Sequence, residues 1–141
     1  MVCDVAPGGV PVVQSPSMGG EGAGNAGLHG EPVAGVEERD GAIVVLLAGE
    51  LDLYNAHAVR DELIAQAGRA PERLVVDLSR VTFIDSTSLG VLIEARTRLT
   101  NRRAFLLASP GLETRRALEI SGLDRHFAVH DSLDAALTAS L

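Results

Sequence analysis

The sequence predicts an α/β domain with a mixed, largely parallel central sheet of four to five strands and about four helices. Three observations lead there. Apolar runs of strand length alternate with segments whose apolar residues recur at helical spacing. Gly, Pro and Asp-Gly signals punctuate them. The chain has 141 residues, 46% of them hydrophobic, which suits one domain with a sizeable core. Aromatics are only 3% and Trp is absent, so Val, Leu, Ile and Ala must build that core.

Residues 1–34 are rich in Gly and Pro. Such a segment buries little apolar surface and keeps high chain entropy, so a disordered tail is expected before a folded region over 35–141. Val36 to Arg39 reads as a short first strand, and Asp40-Gly41 as a tight hairpin turn. The run Ile43 to Ala48 is continuously apolar, as in a buried strand, and Gly49-Glu50-Leu51-Asp52 closes it. Asn55 is expected to cap a helix over 56–68, with Ala56, Val59, Leu63 and Ala67 inward. Leu74 to Leu78 is the next buried strand, after which Val81, Phe83 and Ile84 are expected to face the core.

A helix over about 87–100 carries Leu89, Leu92, Ile93, Ala95 and Leu99 as core candidates. Ala104 to Ala108 is a strand. Pro110 opens a helix that reaches Ser121, with Leu112, Ala117, Leu118 and Ile120 as core candidates and Gly122 as its stop. Phe127 to Val129 is a last short strand, and Asp131 or Ser132 caps a helix over 132–140. In parallel sheets, sites lie beyond the carboxyl ends of strands. Asp52 and Ser86 both follow strand ends, so neighbouring strands would bring them to one edge.

Composition narrows the function classes. The formal charge is -7, whereas a nucleic-acid binder needs a basic footprint, so nucleic acid is not an expected partner. The single cysteine, Cys3, allows neither a disulfide framework nor a thiolate cluster within one chain, and the cytoplasm is the expected compartment. No apolar run approaches the roughly 18 residues of a membrane span. His57, His126 and His130 form no recognisable triad motif with Ser86, and Gly-x-Ser-x-Gly is absent around it, which argues against a hydrolase. No zinc-like spacing is present, so no metal or other cofactor is expected. With all 12 basic residues Arg and none Lys, a P-loop is excluded.

The most informative stretch is Phe83-Ile84-Asp85-Ser86-Thr87-Ser88-Leu89-Gly90. A carboxylate and three consecutive hydroxyls sit where a strand gives way to a helix. A helix start carries unpaired N–H groups and partial positive charge, so it suits an anion such as phosphate. The hydroxyls can serve there as helix caps, as phosphate acceptors, or as both.

Three motifs in order resemble the STAS domain, and within it the stand-alone anti-sigma factor antagonists of bacteria. They are Gly49-Glu50-Leu51-Asp52 with Ala56; Val75-Val76-Asp77-Leu78 leading to Phe83-Ile84-Asp85-Ser86-Thr87 and Leu89-Gly90; and Ile120-Ser121-Gly122-Leu123-Asp124 followed by Phe127 and 132–137. The resemblance implies a binding protein rather than an enzyme. Its unphosphorylated form would bind an anti-sigma factor that is also a serine kinase, and so release a sigma factor. Phosphorylation at the start of the second helix would end that binding, and a PP2C-type phosphatase would reset it. It further implies Ser86 as the phosphoacceptor with Thr87 as the alternative, and a partner surface of Asp52, Asp85, Ser86, Thr87, Ser88 and Gly90. The chain departs from many relatives at Ser88, where they have Gly. The other role open to such a domain is a constitutive scaffold or an accessory subunit of a lipid or small-molecule transport complex.

Overall fold

The computed structural model describes residues 31–141. The disordered tail expected over residues 1–34 falls almost wholly outside them; its last two residues, Val33 and Ala34, already belong to the first strand. The elements are β1 (Val33–Arg39), β2 (Ala42–Leu51), α1 (Ala56–Ala67), β3 (Arg73–Ile84), α2 (Ser86–Thr97), β4 (Phe105–Ala108), α3 (Leu112–Ser121), β5 (Ala128–His130) and α4 (Leu133–Thr138). This is the mixed α/β fold expected, with five strands in the order β1-β2-β3-β4-β5. The β1–β2 pair is antiparallel and the remaining pairs are parallel. Asp40 and Gly41, both at positive φ (49° and 86°), turn β1 into β2.

Each parallel connection steps one strand further in the same direction. Right-handed crossovers of that kind place successive helices on one face of the sheet. The main core lies there: Val45, Leu47, Leu74, Val76 and Leu78 pack with Val59 and Leu63 of α1, Leu92 and Ala95 of α2, and Leu118 of α3. A smaller cluster on the opposite face joins Val44, Val75, Leu106 and Ala108 to Ala136 of α4. Burial on both faces is what the continuously apolar runs required.

Two features of β3 were not anticipated. It runs to Ile84 in one piece, and it gains residues on β2. Leu46 pairs with Asp77 but Ala48 with Arg80; Gly49 pairs with Val81 but Glu50 with Phe83. Each shift inserts one extra β3 residue, and Gly49, at φ +80°, sits at the second. The extra residue there, Thr82, breaks the in-out alternation. Val81 and Ile84 point inward while Phe83 is turned out and is 48% exposed, contrary to the expectation for Phe83. Beyond Asp77 β3 has left β4 behind, so Arg80–Ile84 pair only with Ala48–Leu51 of β2. The sheet thus ends in a two-stranded prolongation, and Asp52 and Asp85 follow its tip.

The helix faces also correct three core expectations. Ile93, Leu112 and Ile120 are exposed at 41%, 70% and 80%. In α3 the buried residues are Thr114 and Leu118, one helical turn apart. Leu112 and Ile120 each lie two positions from that stripe, about 200° around the helix.

Helices α1 and α2 are tied across their outer faces. Arg60 Nε and Nη2 donate to the Glu94 carboxylate at 2.9 and 2.8 Å, and Arg98 Nη2 adds a contact at 3.3 Å. The Arg60 hydrogen bond, only partly opposed by desolvation, holds the Glu94 carboxyl below its ordinary value of 4.5. A carboxyl with a depressed folded-state value stabilises the fold above its unfolded value, and that contribution is lost as pH falls through the folded one. Replacing Glu94→Gln should therefore lower the urea midpoint at neutral pH, and the gap from the parent should close in acid. A gap that stays constant with pH would assign the effect to packing. Because the pair is exposed, added salt should shrink the gap.

Candidate functional site

The site is built at the tip of the two-stranded prolongation. Leu51 pairs with Ile84, so the residues that follow β2 and β3 are neighbours, as the strand-end reasoning required. Asp85 joins the two segments. Its N–H donates to the Leu51 carbonyl at 3.1 Å. One carboxylate oxygen accepts from Ser88 N–H at 2.9 Å, inside the first turn of α2. The other accepts from Leu53 N–H at 3.0 Å, on the turn after β2. Asp85 is therefore the N-cap of α2 and a bridge to Leu53 with the same side chain. The three hydroxyls do not supply the cap.

The 52–55 turn is ordered by side chains on its own backbone. Asp52 Oδ1 accepts from Tyr54 N–H at 3.0 Å, and the Asp52 carbonyl accepts from Ala56 N–H at 2.9 Å. Asn55 occupies the N-cap position of α1 but makes no side-chain cap bond. Buried, it instead accepts from Asp52 N–H at 2.9 Å and donates to the Glu50 carbonyl at 2.8 Å. The expected cap is thus a brace across the mouth of the turn. Buried amides are stable only when both ends are paired, and here both are.

The hydroxyls divide. Ser86 and Thr87 are exposed on the first turn of α2, and Asp85 beside them is half-buried. Ser88 faces inward, 1% exposed, and its Oγ has no partner among the described residues. Contrary to the expectation that placed it on the partner surface, the Ser88 side chain is therefore not part of the exposed face of the tip. Gly90 is exposed one turn further on, and a Cβ built there meets no atom within 4 Å. Gly inside a helix costs about 1 kcal/mol relative to Ala. Nothing in the fold explains that cost, since the space over Gly90 is empty of the chain's own atoms.

An apolar fringe surrounds these groups that the motif reading missed. Leu53 and Tyr54 are 65% and 74% exposed on the turn, and Phe83 is exposed on the prolongation. Leu53 and Tyr54 are signalled in the sequence by two large apolar residues in a turn. Phe83 is not, because only the register shift turns it outward. The tip thus combines hydroxyls, carboxylates and exposed apolar side chains, the mixed chemistry of a protein-binding surface.

Known proteins resemble this chain in sequence and fold. The STAS domain family model matches residues 34–136. A Mycobacterium tuberculosis protein named anti-sigma-F factor antagonist RsfB is 32% identical over 103 residues, covering 73% of this chain and 84% of its own. The anti-sigma-B factor antagonist of Listeria monocytogenes is 37% identical over 91 residues, covering 62% of this chain and 79% of its own. The crystal structure of an anti-sigma factor antagonist from Mycobacterium paratuberculosis superposes with a TM-score of 0.69 at 37% identity, over 73% of this chain and 88% of that one. The fold and the family match together define a STAS domain, and the chain belongs to that family.

The clamp carries two predictions. Removing both acceptors with Asp85→Ala should cost about 1–3 kcal/mol, the usual loss for an N-cap that also leaves partly buried donors unpaired. Hydrogen exchange should speed up at Leu53 and Ser88 together; acceleration at only one would show that the bridge is not a unit. Ser88→Ala should raise stability by about 1 kcal/mol, because it removes a buried hydroxyl that lacks a partner. A lower urea midpoint in that variant would show that the hydroxyl is satisfied in solution.

Proposed function

We propose that this chain is an anti-sigma factor antagonist whose binding is switched by phosphorylation of Ser86. Relatives at 32–37% identity carry the name anti-sigma factor antagonist, which supports the general role. The observation that carries the switch is the division of the hydroxyls: Ser86 and Thr87 stand exposed at a helix start while Asp85 does the capping. In this reading an anti-sigma factor with serine kinase activity docks on the tip, against Asp52, Asp85, Ser86, Thr87 and Gly90 with Leu53, Tyr54 and Phe83 as its apolar anchors. The docked protein would no longer hold its sigma factor. The protein acts by binding, not by catalysis.

The kinase moves the terminal phosphoryl group of ATP to Ser86 Oγ; a new O–P bond forms, ADP leaves, and the hydroxyl proton passes to the kinase. The phosphoryl group adds about -1.5 to -2 charges near pH 7. It lies over the N-terminus of α2, where the helix dipole favours it, so the fold need not rearrange. The docked partner meets new bulk and like charge beside Asp52 and Asp85. Like charges forced together in an interface cost several kcal/mol, and each ~1.4 kcal/mol is tenfold in affinity. A PP2C-type phosphatase would restore the binding form.

Incubation with ATP and an anti-sigma kinase, followed by peptide mass spectrometry, tests this directly. One phosphate on Ser86, lost in Ser86→Ala, with release of the kinase, is the expected result. Phosphate on Thr87 alone would move the switch by one residue. Tight binding without any phosphate would favour the constitutive scaffold. Gly90→Ala should raise helix stability by about 1 kcal/mol yet weaken kinase binding, since its methyl enters space left for the partner. Unchanged binding in that variant would remove the second turn of α2 from the interface.

A further inference from the structure

Away from the tip, at the N-terminal end of β4, an open cleft of about 310 Å³ lies between the end of α2, the turn before β4 and the edge strand β5. Arg96, Arg102, Arg103, His126 and His130 line it together with Ser140 and Leu141, whose terminal carboxyl is the one acidic group near them, and among the described residues no Asp or Glu side chain does. That concentration is unexpected in a chain with 19 acidic and 12 basic residues. Six other arginines are ion-paired: Arg39, Arg60, Arg69, Arg98, Arg115 and Arg116. Among the described residues no carboxylate pairs with Arg96, Arg102 or Arg103. Arg96 is instead laid over the Phe127 ring, 5.9 Å from its centroid, and that ring packs on Phe105.

We propose that this cleft binds a small phosphate-bearing anion. Guanidinium groups present paired N–H donors that match phosphate oxygens, and an aromatic ring under Arg96 limits its freedom before any ligand arrives. Two imidazoles in the same cleft supply further N–H donors. The volume is that of a small-molecule site. A long polyanion would gain the same contacts but lay its remaining charges along a surface of net charge -7. A compact anion meets only the cleft. A helix-end role alone would account for basic side chains near the end of α2, but not for His126 and His130 in the same cleft.

Titration of the full chain followed by backbone NMR, at constant ionic strength held with sodium chloride, tests the site. Inorganic phosphate is the probe in one arm and a low-mass phosphate monoester in the other. Saturable shifts centred on Arg96, 102–104 and 128–130 are expected. The Arg102→Ala/Arg103→Ala pair should weaken binding about tenfold or more with the melting temperature unchanged, as loss of two charge-assisted contacts requires. Should that double variant unfold, His130→Gln serves in its place, with weaker binding expected. Tighter binding of the ester would identify an organic phosphate, and equal affinities the free anion. Linear, non-saturating shifts, affinity indifferent to these substitutions, or tighter binding of an acidic peptide than of either probe would each overturn the proposal.

Discussion

The turn after β2 and the first turn of α2 take their relative position from the carboxylate of Asp85. One of its oxygens holds the first turn of α2 and the other holds the turn after β2. Two segments more than thirty residues apart in sequence are thereby held in register by one side chain. Asn would keep one good acceptor where two are needed, and Glu would set both oxygens a methylene too far out. Asn55 supplies a second brace from below, between Asp52 N–H and the Glu50 carbonyl. Between these two ties the exposed hydroxyls of Ser86 and Thr87 have a fixed frame against which a partner can be shaped.

In the proposed switch, that frame would let a phosphoryl group act without moving the protein that bears it. Asp85 already occupies the Ser88 donor, and the Leu89 N–H donates to the Asp85 carbonyl. The helix start is therefore stable before modification. A charge added on the outside changes what the surface repels rather than how the chain folds. In such a device the free energy of switching resides in the interface, where desolvation makes like charges expensive.

The sequence displays most of the scaffold because burial on both faces leaves an unmistakable trace. The runs Ile43 to Ala48, Leu74 to Leu78 and Ala104 to Ala108 all became buried strands, and Asp40-Gly41 became their hairpin. Less visible were features set by three-dimensional register. Phe83 reads as core by alternation, and only the inserted residue at Thr82 turns it out. Ser88 reads as one of three equal hydroxyls, yet helical rotation by one residue at a time puts it inside while Ser86 and Thr87 stay out. Asn55 has a cap's position and a brace's bonds, its amide being taken up by Asp52 N–H and the Glu50 carbonyl. Leu112 and Ile120 are apolar without belonging to the buried stripe of α3.

The two extra residues of β3 have a consequence for how this domain can vary over descent. Because β3 holds them against β2 on a prolongation that no third strand supports, the residue count there can change by one with no further strand to disturb. Thr82 is exposed, so many side chains fit there. Its deletion would leave Val81 and Ile84 inward, Phe83 outward and Asp85 beside Leu51, because Glu50 already pairs with Phe83 and Leu51 with Ile84. A lineage can therefore exchange the amino acid at this position, or lose it altogether, with the inward and outward residues of the tip unchanged.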